Sequence, residues 1–154
     1  MITSNEEIKI KDEVAKAYKV YLRNFEAGDM KAIEASCSFP LNFDADGEVK
    51  LFNQFPIDVT AMKEATGYHE SLNSDIEVIA VSETKAHIIL RKALRVKEDG
   101  TPIESVSGFY IWIKVDEVWK MKFASAITLK QDLAHNEDLP LSIFPIYIYM
   151  QNLI

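Results

Sequence analysis

The stretch from Glu6 to Ala27 constrains this chain most. Its apolar residues Ile10, Val14, Ala17, Tyr18, Tyr21, Leu22 and Phe25 recur at intervals of three and four. That spacing makes one stripe of an amphipathic helix, with Lys11, Lys16, Lys19 and Arg23 among the outward residues. Gly28 stops the helix, because a glycine just past the last apolar residue can take the left-handed conformation that a helix end favours. Asp29 then caps a second helix, MKAIEAS, by accepting its free amides. Two helices therefore meet at a fixed angle.

After Pro40 the hydrophobic period changes. FPLNFDADGEVKLF reads as strand, turn and strand, with Asp46-Gly47 supplying the positive backbone angles of a two-residue hairpin. PIDVTAMKEATGYH is a short helix, with Asp58 or Thr60 near its start and Gly67 at its end. Strand patterns follow at about 71–82, 84–97, 103–115 and 118–128, with turns at Asp99-Gly100 and Asp116-Glu117. Helices first and antiparallel strands after them predict an α+β domain with the helices packed on one sheet face. The domain is expected over 1–128. An apolar C-terminal extension, 129–154, is expected to pack on it or on a dimer partner. Within that extension Phe144, Ile146, Ile148 and Met150 alternate with Pro145, Tyr147 and Tyr149, and the prolines fit an edge or a covering segment.

The bulk properties narrow the function classes. A chain of 154 residues can bury one sizeable core. Its net charge of −7 argues against general affinity for nucleic acid or for an anionic membrane. A single cysteine, Cys37, excludes an internal disulfide framework and fits a reducing compartment. The N-terminal MITSNEEIKIKDE has no apolar core, and the apolar tail is too short and broken to span a bilayer. A cytoplasmic location is expected.

The order of helix, Gly-Asp, short helix, Pro-strand, hairpin, short helix and long strands resembles the nuclear-transport-factor-2-like superfamily. Its relatives include ketosteroid isomerases and polyketide cyclases. FEAGDMKAI carries the resemblance, together with ESVSGFYIWIKVDEVWKMKFAS, which looks like that superfamily's last two strands. The match covers about residues 8 to 128. It implies a cone-shaped fold in which a strongly curved, mostly antiparallel sheet wraps the N-terminal helices around a cavity, and dimers through the outer sheet face. It places Tyr21 where the ketosteroid isomerases keep the tyrosine that donates to the developing oxyanion. Their general-base aspartate falls at Asp44 if the preceding loop is one residue shorter here, and at Ala45 otherwise. Their second oxyanion donor falls at Phe109, which cannot donate. The isomerase reaction is not carried over.

Strand alternation yields an inventory of the pocket. Ser105, Ser107, Phe109, Ile111 and Ile113 share one face, as do Trp119, Met121, Phe123 and Ser125. Their apolar members predict that these faces meet the helices. The serines then either bond a ligand's oxygens or sit where the curved sheet crowds a helix. Tyr18 and Tyr21 lie on the buried stripe, each as a core aromatic or as a donor to the cavity. Asp44 is first of all turn chemistry, and becomes a usable base only if the sheet's curvature aims it inward. His69 is placed at the pocket mouth. His87, Arg91 and Arg95 are assigned to the outer face, together with Tyr110 and Trp112, where a dimer contact would cover the aromatics.

No metal-ligand spacing, phosphate loop, nucleophile elbow or dinucleotide fingerprint occurs, so no metal or nucleotide cofactor is expected. The expected function is to bind a small hydrophobic or mixed-polarity ligand in a homodimer. One alternative is an isomerase, cyclase or hydratase with Tyr21 as donor and Asp44 or His69 as base. Another is a protein-interaction module with a vestigial cavity.

Overall fold

A computed structural model describes residues 1–45 and 47–130 of the chain. The elements run α1 (Ser4–Ala27), α2 (Met30–Ala35), β1 (Cys37–Ala45), β2 (Glu48–Phe52), α3 (Val59–Thr66), β3 (Tyr68–Val81), β4 (Lys85–Lys97), β5 (Pro102–Val115) and β6 (Val118–Lys130). The expected order of elements is the observed one. Asp46 and residues 131–154, on which the apolar-tail expectation rests, lie outside the described residues.

Local chemistry sets the helix ends. Thr3 and Glu6 form a reciprocal capping box, in which Glu6 N donates to Thr3 Oγ1 at 3.2 Å and Thr3 N donates to Glu6 Oε2 at 2.6 Å. It starts α1 at Ser4, two residues ahead of the stretch read as helical from the sequence. Gly28 ends α1 at φ 70°, and Asp29 caps α2 by accepting from Ala32 N at 3.1 Å. Asp58 caps α3, accepting from Ala61 N at 3.0 Å.

The sheet has six strands in the order β2-β1-β6-β5-β4-β3. Every pairing is antiparallel except β1 with β6. It is a curled, open α+β sheet with the N-terminal helices packed against its inner face. Directly paired residues share a face, so the register identifies both sides. Inner rows run Ala86–Trp112–Met121–Cys37 and Ile88–Tyr110–Ala124–Phe43, and all eight residues are buried. Outer rows run His87–Ile111–Phe123–Asn42 and Ile89–Phe109–Ser125–Asp44.

This register corrects the alternation read from the sequence. On β5 the parity is reversed: Tyr110 and Trp112 point inward, whereas Ser105, Ser107, Phe109, Ile111 and Ile113 have outward parity. Both parities of β5 are apolar, so period two alone could not rank them. The larger rings win the inner face because they meet α1, Tyr110 against Tyr18 at 5.4 Å and Trp112 against Tyr21 at 6.2 Å between centroids. On β6, Trp119 and Met121 are inward as expected, but a register shift leaves Lys122 as an extra residue and turns Phe123 and Ser125 outward. Asn42 Nδ2 donates to the Lys122 carbonyl at 3.3 Å, which anchors that bulge.

Gly108 is the inner-face position at which a side chain has no room. A Cβ built there would lie 2.6 Å from Tyr110 Oη and 2.8 Å from two ring carbons. The Tyr110 ring is buried and wedged against Tyr18, so it cannot swing aside freely. Gly108→Ala is therefore expected to destabilise the fold by about 1–3 kcal/mol through overpacking. In a Tyr110→Leu background the penalty should shrink. Equal penalties in both backgrounds, measured by urea denaturation, would show that the Tyr110 ring is not the obstacle.

Candidate functional site

Between α1 and strands β3 to β5 lies a cavity of about 30 Å³. Its polar wall is made by Tyr18, Tyr21 and Tyr110, Ser71 and Ser74, and Arg95. Leu22, Phe25, Leu90, Ala93 and Val106 supply the apolar wall. Such a volume has room for about two water-sized molecules.

Helical spacing brings the first two phenols in, since Tyr18 and Tyr21 are three residues apart on one stripe. The strand residues arrive by a different device. Ser71 and Ser74 are an odd number apart and would face opposite ways in a regular strand. The β3–β4 register shifts between Leu72 and Asp75, and Asn73 sits at φ 54° within that bulge. Both serines consequently reach the cavity. Leu90 and Ala93 repeat the pattern on β4, where the pairing with β5 shifts between them. That shift also carries Arg95 inward, correcting its assignment to the outer face.

Among the described residues, Arg95 supplies the one charge in the lining. Its side chain is 7% exposed, and its Nη1 donates to Glu104 Oε1 at 2.6 Å. The guanidinium carbon lies 5.4 Å from the Phe25 ring centroid and 5.6 Å from that of Tyr68. Tyr68 Oη and Ser71 Oγ are hydrogen-bonded at 2.7 Å. Ser74 Oγ and Glu104 Oε2 are buried with no hydrogen-bond partner among the described residues, a cost that a polar occupant would offset.

The same desolvation acts on the titratable groups. Burial pushes the phenols of Tyr18 and Tyr21 well above their usual value, so both remain protonated donors at neutral pH. Burial also raises the Glu104 carboxyl, outweighing the opposing pull of Arg95.

Of the residues singled out from the sequence, Tyr18 and Tyr21 line the cavity. Trp119 is buried on the inner face outside that lining, with the Lys114 ammonium 5.7 Å from its ring centroid. Ser105 Oγ donates to the Leu129 carbonyl at 3.5 Å, and Ser107 Oγ to the Arg91 carbonyl at 2.6 Å. Phe109 stacks near His87 and Phe123 on the outer face. Asp44 is also outside, where Ser125 Oγ donates to its Oδ2 at 3.2 Å, so curvature does not aim it at the cavity. His69 is exposed. Arg91 is exposed and ion-paired with Asp75 and Glu77.

Sequence reasoning missed Ser71, Ser74, Arg95 and Glu104, and put Tyr110 on the wrong side. One signal for Arg95 was present. Counting outward from the Asp99-Gly100 turn pairs residue 95 with residue 104, and the observed register does the same with opposite charges. Nothing in the spacing of Ser71 and Ser74 announces a bulge. Among the described residues, no group of three His, Cys, Asp or Glu side chains comes together to hold a metal ion. No helix among them is long and apolar enough to cross a membrane.

Neither a protein-family model nor a curated protein matches the sequence. Solved structures do. An NTF2-like protein from Cytophaga hutchinsonii superposes with a TM-score of 0.59 at 16% identity, over 77% of this chain and 97% of that one. An NTF2-like protein of unknown function from Shewanella baltica gives 0.52 at 12% identity, over 85% of this chain and 100% of that one. The association domain of C. elegans CaMKII gives 0.57 at 12% identity, over 80% of this chain and 98% of that one.

The Glu104 environment makes a pH signature. Its folded pKa is raised above the ordinary 4.5, so the folded state holds that proton more tightly than the unfolded chain. The resulting stabilisation is complete below about pH 4.5 and is lost as pH rises through the folded value. The stability of the wild type relative to Glu104→Gln is therefore expected to fall with increasing pH over that window. Urea midpoints from pH 4 to 8 measure it, and parallel profiles for the two proteins would contradict the assignment.

Proposed function

We propose that this chain, whose fold is that of the nuclear-transport-factor-2-like proteins, is a small-molecule-binding pocket protein. The carrying observation is the cavity itself, in which phenol, hydroxyl and guanidinium groups meet an apolar wall beside the unpartnered Ser74 Oγ. The occupant is small, or it enters by displacing side chains. Binding is favoured over an isomerase, cyclase or hydratase reaction because, among the described residues, the lining contains Tyr21 as a donor but no carboxylate or imidazole to act as base. Asp44 is on the other face of the sheet, and His69 is exposed. The lone buried cysteine fits a cytosolic setting.

The same reading includes a homodimer through the outer sheet face. Phe109, Ile111 and Phe123 are only half-buried there, and His87 stacks at 5.7 Å from Phe109. The likeness to an association domain supports a fold that can serve oligomers. This contact uses the outward residues of the observed register, in place of Tyr110 and Trp112. A vestigial cavity in an interaction module is disfavoured by the buried polar groups kept around it.

Native mass spectrometry of freshly purified protein is expected to show a bound small molecule that leaves on denaturation. Tyr21→Phe should weaken that complex while changing stability by no more than about 1 kcal/mol. A protein that carries no ligand, and that no compound in a thermal-shift library protects, would overturn the pocket reading. Sedimentation at micromolar concentration should separately show twice the chain mass, with Phe109→Glu shifting it toward monomer. A monomeric wild type would exclude the dimer.

A further inference from the structure

We infer that the cavity is a binding site for a short-chain carboxylate, seated on Arg95 and the surrounding phenols; this rests on the pocket reading above. The first ground is the imbalance of donors and acceptors. The lining offers a guanidinium, three phenols and two serine hydroxyls. Tyr21 stays protonated in its buried position and presents its O–H, while the Tyr18 hydroxyl is paired with that of Tyr110. A carboxylate accepts at about four lone-pair sites, twice the number on a neutral carbonyl, and suits such a donor-rich wall. An ammonium group would meet Arg95 as a like charge.

The second ground is how Arg95 is held. Glu104 is not in the lining; it grips the guanidinium through one Nη1 bond, while Phe25 and Tyr68 lie near its faces. One N–H of five is engaged in that bond, which leaves much of the fork for a second carboxylate. Fixed this way, the group is pre-organised and little side-chain freedom remains to be lost on binding. Leu22, Leu90, Ala93 and Val106 form the complementary apolar end. A volume near 30 Å³ holds little more than the carboxylate group itself, so a hydrocarbon part of up to about three carbons is seated only by displacing side chains of that apolar end.

Two carboxylates sharing one guanidinium would leave a buried negative charge. Glu104, already shifted toward its neutral form by burial, is the group that takes up a proton to cancel it. The ionisable groups around this pair are Lys130, its register partner on β6, Tyr68 of β3, Tyr18 and Tyr21 of α1, and Tyr110 of β5. Burial raises these phenols, so they already hold their protons near neutrality and none competes for this one. Binding should therefore weaken with increasing pH.

Calorimetric titration with butyrate, butyramide and butylammonium at pH 6 and pH 8 tests the inference on the full chain. Butyrate is expected to bind at least tenfold more tightly than either isostere, and more tightly at pH 6 than at pH 8. The double variant Arg95→Met, Glu104→Leu removes both charges together, so neither is left buried alone; it should lose the preference for butyrate. Should that variant fail to fold, Arg95→Lys keeps the charge without the fork, and is expected to cut butyrate affinity at least tenfold. Butyramide binding as well as butyrate would overturn the carboxylate class while keeping the pocket. Butyrate binding that the variants leave unchanged would place it elsewhere and overturn the inference. If none of the three binds and native mass spectrometry shows no carried ligand, the pocket reading fails with it.

Discussion

Everything else in this structure is arranged around one contact, the ring packing between α1 and the middle of the sheet. Tyr18 and Tyr21 from the helix meet Tyr110 and Trp112 from β5, and Phe25 extends the cluster to Phe55 and Tyr68. Rings this large bury much apolar area and prefer tilted or edge-on geometry, so they fix orientation as well as burial. Their phenol ends still require polar surroundings. The cavity forms where those ends gather, and Gly108 is the clearance that lets the Tyr110 ring lie against the sheet.

The strands reach that cavity through irregularity. A regular strand would send Ser71 and Ser74, or Leu90 and Ala93, to opposite faces. The register shifts in β3 and β4 place each pair together and bring Arg95 inward, and a further shift in β6 turns Phe123 out. Each is a local interruption of the ladder that re-aims side chains. The sheet's inner and outer chemistries differ as a result. Inside are phenols, hydroxyls and one held guanidinium; outside are half-buried apolar residues with Asp44 and Ser125 among them.

The Arg95–Glu104 pair is the reason binding, rather than catalysis, is the function proposed for the site. Isolated in a low-dielectric interior, either charge would be costly; pairing orients Arg95, and burial still holds the Glu104 carboxyl raised against the pull of Arg95. Pairing a buried cation from behind leaves a fixed guanidinium in the cavity wall. It does not itself supply a free base, and Asp44 faces the outer side of the sheet while His69 is exposed.

The helix stripe, the Gly28-Asp29 junction, the Asp58 and Gly67 helix ends and the later turns at Asp99-Gly100 and Asp116-Glu117 were all legible in the chain, because each depends on residues within a few positions of one another. Together they determined the α+β order of elements and the inward position of Tyr18 and Tyr21. Tertiary structure alone decided which face of β5 is buried, since both of its faces are apolar and only the rings of α1 distinguish them. It also decided where the ladder slips, because a bulge reflects the fit between neighbouring strands and is invisible in either strand's own alternation. Arg95, Glu104, Ser71 and Ser74 became site residues by that route. Their membership is a consequence of register, a relation between distant segments that period-two reading within one strand does not contain.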